Sequence, residues 1–241
     1  MTSPEQTTPT VPPEPIKVDI WSDIACPWCY IGKRKFETAV ATSGIPVEVE
    51  YHSFELSPGT PVEIEGSHEQ YLATHLGVSL DQAKAMGVRV TGIAESVGLH
   101  YDYAALKTTN TVLGHQAIHY AKAHGKQAAM KERLLKAYFE EGRHVGRIED
   151  LADLAAEIGL DREDVVRSLS ADEYLADVRA DQALAIELGI RGVPFFVLDG
   201  TYGVSGAQEA QTFANVLKQV VDERESKGDP AIPDSTNLET S

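Results

Sequence analysis

Cysteine is scarce in this chain of 241 residues: there are two, and both fall within Cys26-Pro27-Trp28-Cys29. A framework of structural disulfides is thereby excluded, and the small ring these two can close would constrain the unfolded chain little. Basic residues are also few, 21 Lys and Arg against 37 Asp and Glu, for a formal net charge of −16. That balance argues against nucleic acid or anionic membrane as a partner, because both attract basic surfaces. No apolar run approaches the roughly 20 residues needed to span a bilayer. The first fifteen residues hold five prolines and four threonines but no Lys or Arg. They lack both the charged start and the apolar stretch of a secretory signal, and we expect a disordered tail over 1–15. With Met1 as the native start, the expected location is cytoplasmic. Phosphate-cradling glycine motifs, Ser–His–Asp signatures and zinc-protease motifs are missing as well.

The apolar fraction of 42% is ordinary for a globular core, and the length suits one domain or a domain with an insertion. Residues 16–60 read as strand, helix, strand. Val18-Asp19-Ile20-Trp21 is the first strand, Tyr30 to Val40 a helix, and Val47-Glu48-Val49-Glu50-Tyr51 alternates with the period of a second strand. Between 61 and 170 the pattern is helical. Ser67 with Gln70 and Ser79 with Gln82 form capping boxes, and Asn110 or Thr109 can cap a helix carrying Leu113, Ala117, Ile118 and Ala121. Residues 171–226 read as helix, strand, strand, helix. Ser170 with Glu173 is a further capping pair, and Asp199-Gly200 between Phe195-Phe196-Val197-Leu198 and Tyr202-Gly203-Val204-Ser205 signals a hairpin. A polar tail over 227–241 is expected to be disordered. The order βαβ, helical insertion, αββα is that of an α/β thioredoxin fold interrupted by a helical subdomain.

In that arrangement Cys26 lies at a helix N-terminus, where unpaired N–H groups and the helix dipole favour a thiolate. Pro27 suits the first helical turn, where its missing donor costs nothing. Cys26 reads as the nucleophile and Cys29, a turn deeper, as the thiol that resolves a mixed disulfide. A bland alternative is half of a zinc site completed by His115 and His119, whose i, i+4 spacing suits a metal. Pro27 and Trp28 fill the loop in a way a metal knuckle does not need, and we assign no metal.

Pro194 stands at the mouth of an apolar run. Paired with the cysteines it reads as a cis-proline facing them, with the Val193 backbone offered to an extended substrate. Pro27, Trp28, Val193 and Phe195 are therefore the candidate substrate-binding residues beside Cys26, Cys29 and Pro194. Trp21, Phe54 and Phe196 can extend an apolar groove, although Phe54 and Phe196 suit core packing better. Lys33 shares the helical face of the cysteines but reads as a solvated lysine beside Arg34 and Lys35. Asp23 reads as a helix cap rather than a modulator of the thiols, and His115 as a satisfied interfacial histidine.

At Ser22-Asp23-Ile24-Ala25-Cys26-Pro27-Trp28-Cys29-Tyr30-Ile31-Gly32-Lys33 the chain resembles the DsbA-like thioredoxin family, in its FrnE-type branch. Phe54-Glu55-Leu56-Ser57-Pro58, Asn110-Thr111, Ala137-Tyr138-Phe139, Gly192-Val193-Pro194-Phe195-Phe196 and Ser205-Gly206-Ala207-Gln208 match in the same order. The resemblance spans about 16–225. It implies a thiol–disulfide oxidoreductase or isomerase with the cysteine pair as redox centre and Pro194 in cis. No separate cofactor is implied, and the expected partners are cysteine-containing proteins or glutathione, the latter as a co-substrate. Many thioredoxin-fold enzymes carry a buried carboxylate six residues before the first cysteine, where this chain has Ile20. The dipeptide between the cysteines is not the Pro-His of the strong periplasmic oxidants, which favours a less oxidising potential. Two other readings remain. One is a glutathione-dependent enzyme resembling 2-hydroxychromene-2-carboxylate isomerase or kappa-class glutathione transferase, whose members usually lack the second cysteine. The other is a chaperone-like polypeptide binder, which would keep its activity without Cys26. The sequence does not fix the oligomeric state.

Overall fold

The structure, a computed structural model, describes residues 14–226; nearly all of the two expected tails lies outside that range. Four strands form the sheet: β1 (Ile16–Ser22), β2 (Val47–Ser53), β3 (Phe195–Leu198) and β4 (Tyr202–Ser205), in the order β2-β1-β3-β4. The β1–β2 pair is parallel, bridged by α1 (Pro27–Ser43), as a crossover connection requires. β3 runs antiparallel to both β1 and β4. Asp199 and Gly200 turn the β3–β4 hairpin with φ of 54° and 63°, the mirror-image turn that suits twisted strands. The chain closes with α9 (Ala210–Ser226).

Alternation along the strands sorts the side chains onto two faces. Val18, Ile20, Phe196 and Leu198 point to one face and pack with Phe36 of α1 and Phe213 of α9, the rings of Phe196 and Phe213 lying 4.6 Å apart. Trp21, with Phe54 and Phe195, packs on the other face against Ala185 of α8 (Leu175–Glu187).

Between β2 and α8 lie six helices: α2 (His68–Leu76), α3 (Leu80–Glu95), α4 (Val112–Ala123), α5 (Gln127–Phe139), α6 (Ile148–Glu157) and α7 (Arg162–Ser170). Their shared core includes Leu134, Tyr138, Phe139 and Leu151, joined by Ile24, Tyr30 and Ile31 from the cysteine-bearing loop and α1. The insertion is thus packed directly against the site. Gly114 permits the approach of α4, since a Cβ there would stand 2.5 Å from Ile24 Cδ1 and 3.1 Å from the Val145 carbonyl.

Both capping boxes expected in the insertion form, at Ser67–Gln70 and Ser79–Gln82. The third does not. α7 continues through Ser170, and α8 starts only after Tyr174, with no side-chain cap. Asn110 Oδ1 accepts the Val112 N–H at 2.9 Å, one position before the Thr111 N-cap.

A polar clamp fixes α8 and α4 to β2. Asp181 takes His52 Nδ1 at 2.8 Å, His119 Nε2 at 3.0 Å and the Ser53 N–H at 2.7 Å. Burial would raise the Asp181 pKa, but these hydrogen bonds hold it well below the usual carboxylate range. His119 is therefore engaged in the clamp and faces Asp181, not the cysteines.

Candidate active site

Cys26 is the N-cap of α1 and Pro27 its first helical residue. The Cys29 N–H donates to the Cys26 carbonyl at 3.0 Å, closing the first turn and bringing the two sulfurs to one end of the helix. The Cys26 thiol donates to the Val193 carbonyl at 3.5 Å. The Val193–Pro194 peptide is cis, and Pro194 lies against α1 where Gly32 leaves room: a Cβ there would stand 3.0 Å from Pro194 Cγ. The two separate signals in the sequence, the cysteine pair and Val193-Pro194, thus meet in one place.

Other candidates fall differently. Trp28 is 38% exposed and stands on the solvent side of the cysteines. It borders an open groove with Arg34, Lys35, Ile93, Val97 and Ala207. Phe195, Trp21 and Phe54 turn into the cluster on the far face of the sheet, and Phe196 into the core. Strand alternation is the reason: Phe195 pairs with Trp21 in register and shares its face. An extended aromatic groove around the thiols is therefore not assembled. Lys33 is buried rather than solvated, because Glu132 of α5 reaches it at 2.6 Å and Glu37 pairs with it as well.

Asp23 also departs from expectation. It caps no helix; its Oδ2 accepts the Leu56 N–H at 2.8 Å, and its Oδ1 lies 3.2 Å from His115 Nε2 and 3.4 Å from the Ala25 nitrogen. Burial alone would raise its pKa, but the His115 hydrogen bond and charge, with the Leu56 N–H, pull it below the ordinary carboxylate value. His115 is thus an interfacial histidine, as expected, but its partner lies three residues from Cys26. Asn110 donates to the Pro58 carbonyl at 3.0 Å and so ties the loop after β2 to the start of α4.

Both sulfurs are covered, Cys26 at 2% exposure and Cys29 at 3%. Their surroundings act in opposite directions on the two thiols. Its hydrogen bond with Cys29, together with burial and the Asp23 carboxylate, pushes Cys26 up. Cys29 is opposed by burial too, yet the hydrogen bond from Cys26, the charge of Lys131 and the Ser22 hydroxyl outweigh it and bring its pKa down. In the dithiol the surroundings thus favour charge on Cys29 over Cys26, although the helix N-terminus favours a thiolate at Cys26. The helix N-terminus acts on one member of a coupled pair whose ionisation belongs to both sulfurs.

Beside this pair opens a cavity of about 340 Å³, lined by Asp23, Ala25, Pro27, His68, Tyr71 and Tyr138 among others. Burial pushes the His68 pKa down to about 4, so its ring is uncharged at neutral pH, and Asp23 is the ionised group in this lining. Tyr101 donates to the Pro27 carbonyl at 2.8 Å. Tyr101 and Lys131 are contributions that sequence reasoning did not single out. For Lys131 a signal existed: it shares a helical face with Leu134, Leu135 and Tyr138, and a lysine on an apolar stripe asks for a reason.

Among solved structures, a probable DsbA oxidoreductase from Streptomyces coelicolor is 41% identical, covers 87% of this chain and 91% of its own, and superposes with a TM-score of 0.80. The cytosolic disulfide reductase DsbM from Pseudomonas aeruginosa shares the fold at 20% identity, with a TM-score of 0.59 over 88% of this chain and all of its own. An uncharacterised protein of Bacillus subtilis, YwbO, is 29% identical over 219 residues, 88% of this chain and 99% of that protein. The DSBA-like thioredoxin domain matches residues 17–218, and the chain belongs to that family.

Proposed function

We propose that this protein is a cytoplasmic thiol–disulfide oxidoreductase that exchanges disulfides of proteins or of glutathione through Cys26 and Cys29. The carrying observation is the Cys26 thiol at the tip of α1, in contact with the Val193 carbonyl and backed by Cys29 within the same turn. A redox-active pair at this spacing needs no cofactor beyond its own sulfurs.

The reduced pair shares one proton, and passing it to Cys29 frees Cys26 as the attacking thiolate. Cys26 Sγ attacks one sulfur of a substrate disulfide, and the other sulfur leaves as a thiolate. Cys29 gives its proton to that departing thiolate, attacks Cys26 Sγ and expels the second substrate sulfur as a thiolate. The pair ends as a disulfide and the substrate as two thiols, with two electrons transferred; run backwards, the same steps oxidise a substrate dithiol. Val193, two residues before β3, offers its backbone to an extended segment, which is how a strand-like substrate gains affinity without sequence preference. Pro27, with Leu56, Leu72 and Tyr138 in the cavity behind it, gives an apolar wall for a side chain next to the substrate cysteine. Trp28 flanks the solvent side. Phe195 has no place in this reading, since its ring packs elsewhere.

The test is insulin reduction driven by glutathione, run beside isomerisation of 2-hydroxychromene-2-carboxylate. Wild-type protein should accelerate insulin reduction, and Cys26→Ser should return it to the uncatalysed rate. Isomerase turnover without disulfide exchange would replace this reading with the glutathione-dependent one.

A further inference from the structure

Lys131 is a buried charge for which the exchange steps above supply no use. It projects from α5 with 1% exposure. Among the described residues no carboxylate oxygen lies within 4.0 Å of its ammonium; its hydrogen bond goes to the Ser22 carbonyl at 3.3 Å, and the Tyr51 ring lies 5.9 Å away. An ammonium taken out of water without an anion is strongly disfavoured, so a lysine held there needs a negative charge close by. Ser22 ends β1, and its hydroxyl favours the anion of Cys29. One residue therefore stands between the ammonium, which its carbonyl receives, and the buried sulfur. Burial pulls the Lys131 pKa below its ordinary value; of its titratable neighbours Cys29, Asp23 and Cys26 favour its charge, and Lys33 across from α1 opposes it. Tyr51, Tyr101 and Tyr103 also face the cysteines, all held neutral mainly by burial. Asp23 is already engaged by His115, Leu56 and Ala25, whereas the cation that favours the Cys29 anion is Lys131.

We propose that the Lys131 ammonium is the counter-charge of the Cys29 thiolate, a positioning residue that speeds resolution of mixed disulfides and makes the pair more oxidising. The inference rests on the disulfide-exchange reading. In the resolving step the Cys29 thiolate attacks Cys26 Sγ, the Cys26–Cys29 bond forms, and the Cys26–substrate bond breaks. The departing thiolate takes its proton from water. Two electrons have passed from the cysteine pair to the substrate, and the ammonium is left facing a neutral disulfide. Lys131 therefore stabilises the dithiol form relative to the disulfide form, which is what a more oxidising pair means.

Lys131→Met removes the charge at nearly constant length. Two quantities should be measured on the variant and on wild type: the pH dependence of Cys29 alkylation, in a Cys26→Ser background, and the equilibrium of the pair with glutathione. Removal of the ammonium should move the alkylation midpoint up by about one pH unit or more. It should also shift the glutathione equilibrium at least tenfold toward protein disulfide, about 30 mV more reducing. A merely structural lysine would move neither. An unchanged midpoint and an unchanged equilibrium overturn the proposal, and Lys131→Gln gives the same two readouts should the methionine variant not fold. Failure of the parent reading looks different, because wild type would then form no Cys26–Cys29 disulfide with glutathione at all. The alkylation midpoint would still decide the role of Lys131.

Discussion

Cys29→Ser should accumulate covalent complexes between Cys26 and substrate polypeptides, and Cys26→Ser should accumulate none. A mixed disulfide at Cys26 is normally short-lived because Cys29 lies within the same turn of α1 and attacks as an intramolecular nucleophile. Intramolecular reactions of well-placed groups correspond to effective concentrations of about 10⁵ M or more, far above any thiol in solution. Serine removes that attack while keeping the size of the side chain. The trapped species should therefore outlive the wild-type intermediate by several orders of magnitude and appear as high-mass bands on non-reducing gels, lost on reduction. The asymmetry is the informative part. Both cysteines are buried, and their surroundings favour charge on Cys29 over Cys26, so a purely electrostatic account would put the adduct there. Position decides otherwise: Cys26 lies beside Val193, between two residues that line the cavity. Adducts mapped to Cys29 in the Cys26→Ser protein would reverse the assignment.

Loss of the Asp23 carboxylate should be the most damaging single change to stability near the site. Asp23→Ala leaves the Leu56 N–H, the Ala25 N–H and the His115 ring without their acceptor in a buried place. Breaking a buried pair from one side costs about 3–5 kcal/mol. Its pH signature has a definite sign. The folded pKa is depressed, so the stabilisation is complete above the ordinary carboxylate value of 3.8 and is lost as pH falls through the lower folded value. Urea unfolding of wild type and Asp23→Ala should therefore show the full gap at pH 6, narrowing as the pH drops below about 4. A gap under about 1 kcal/mol at neutral pH would mean that the buried pair contributes little.

The parts of this protein legible in sequence are those set by local chemistry. The placement of Cys26 and Cys29 on the first turn of α1, the hairpin at Asp199-Gly200 and the capping boxes at Ser67 and Ser79 each depend on neighbours within a few residues. The order of strands and helices follows from periodicity in the same way. Residues whose environment is made by distant segments are not legible in the local sequence. Lys33 looked solvated within Lys33-Arg34-Lys35, but Glu132 arrives from α5, about a hundred residues on. Asp23 resembled a cap because it precedes a helix, yet α4 brings His115 over it. Phe195 shares a motif with Pro194 but faces away, since a strand turns successive side chains to opposite sides. Lys131 acquires meaning only when the insertion docks on the end of β1.

The central claim is that Cys26 and Cys29 form a reversible redox pair. Equilibrating the protein with mixtures of reduced and oxidised glutathione, and counting free thiols by mass after alkylation, measures it directly. The expected result is a single two-electron transition between dithiol and Cys26–Cys29 disulfide. Its midpoint should fall between about −270 mV and about −120 mV, nearer the isomerase value of about −180 mV. Both thiols staying free across the whole range, or a midpoint at either extreme, would contradict the account.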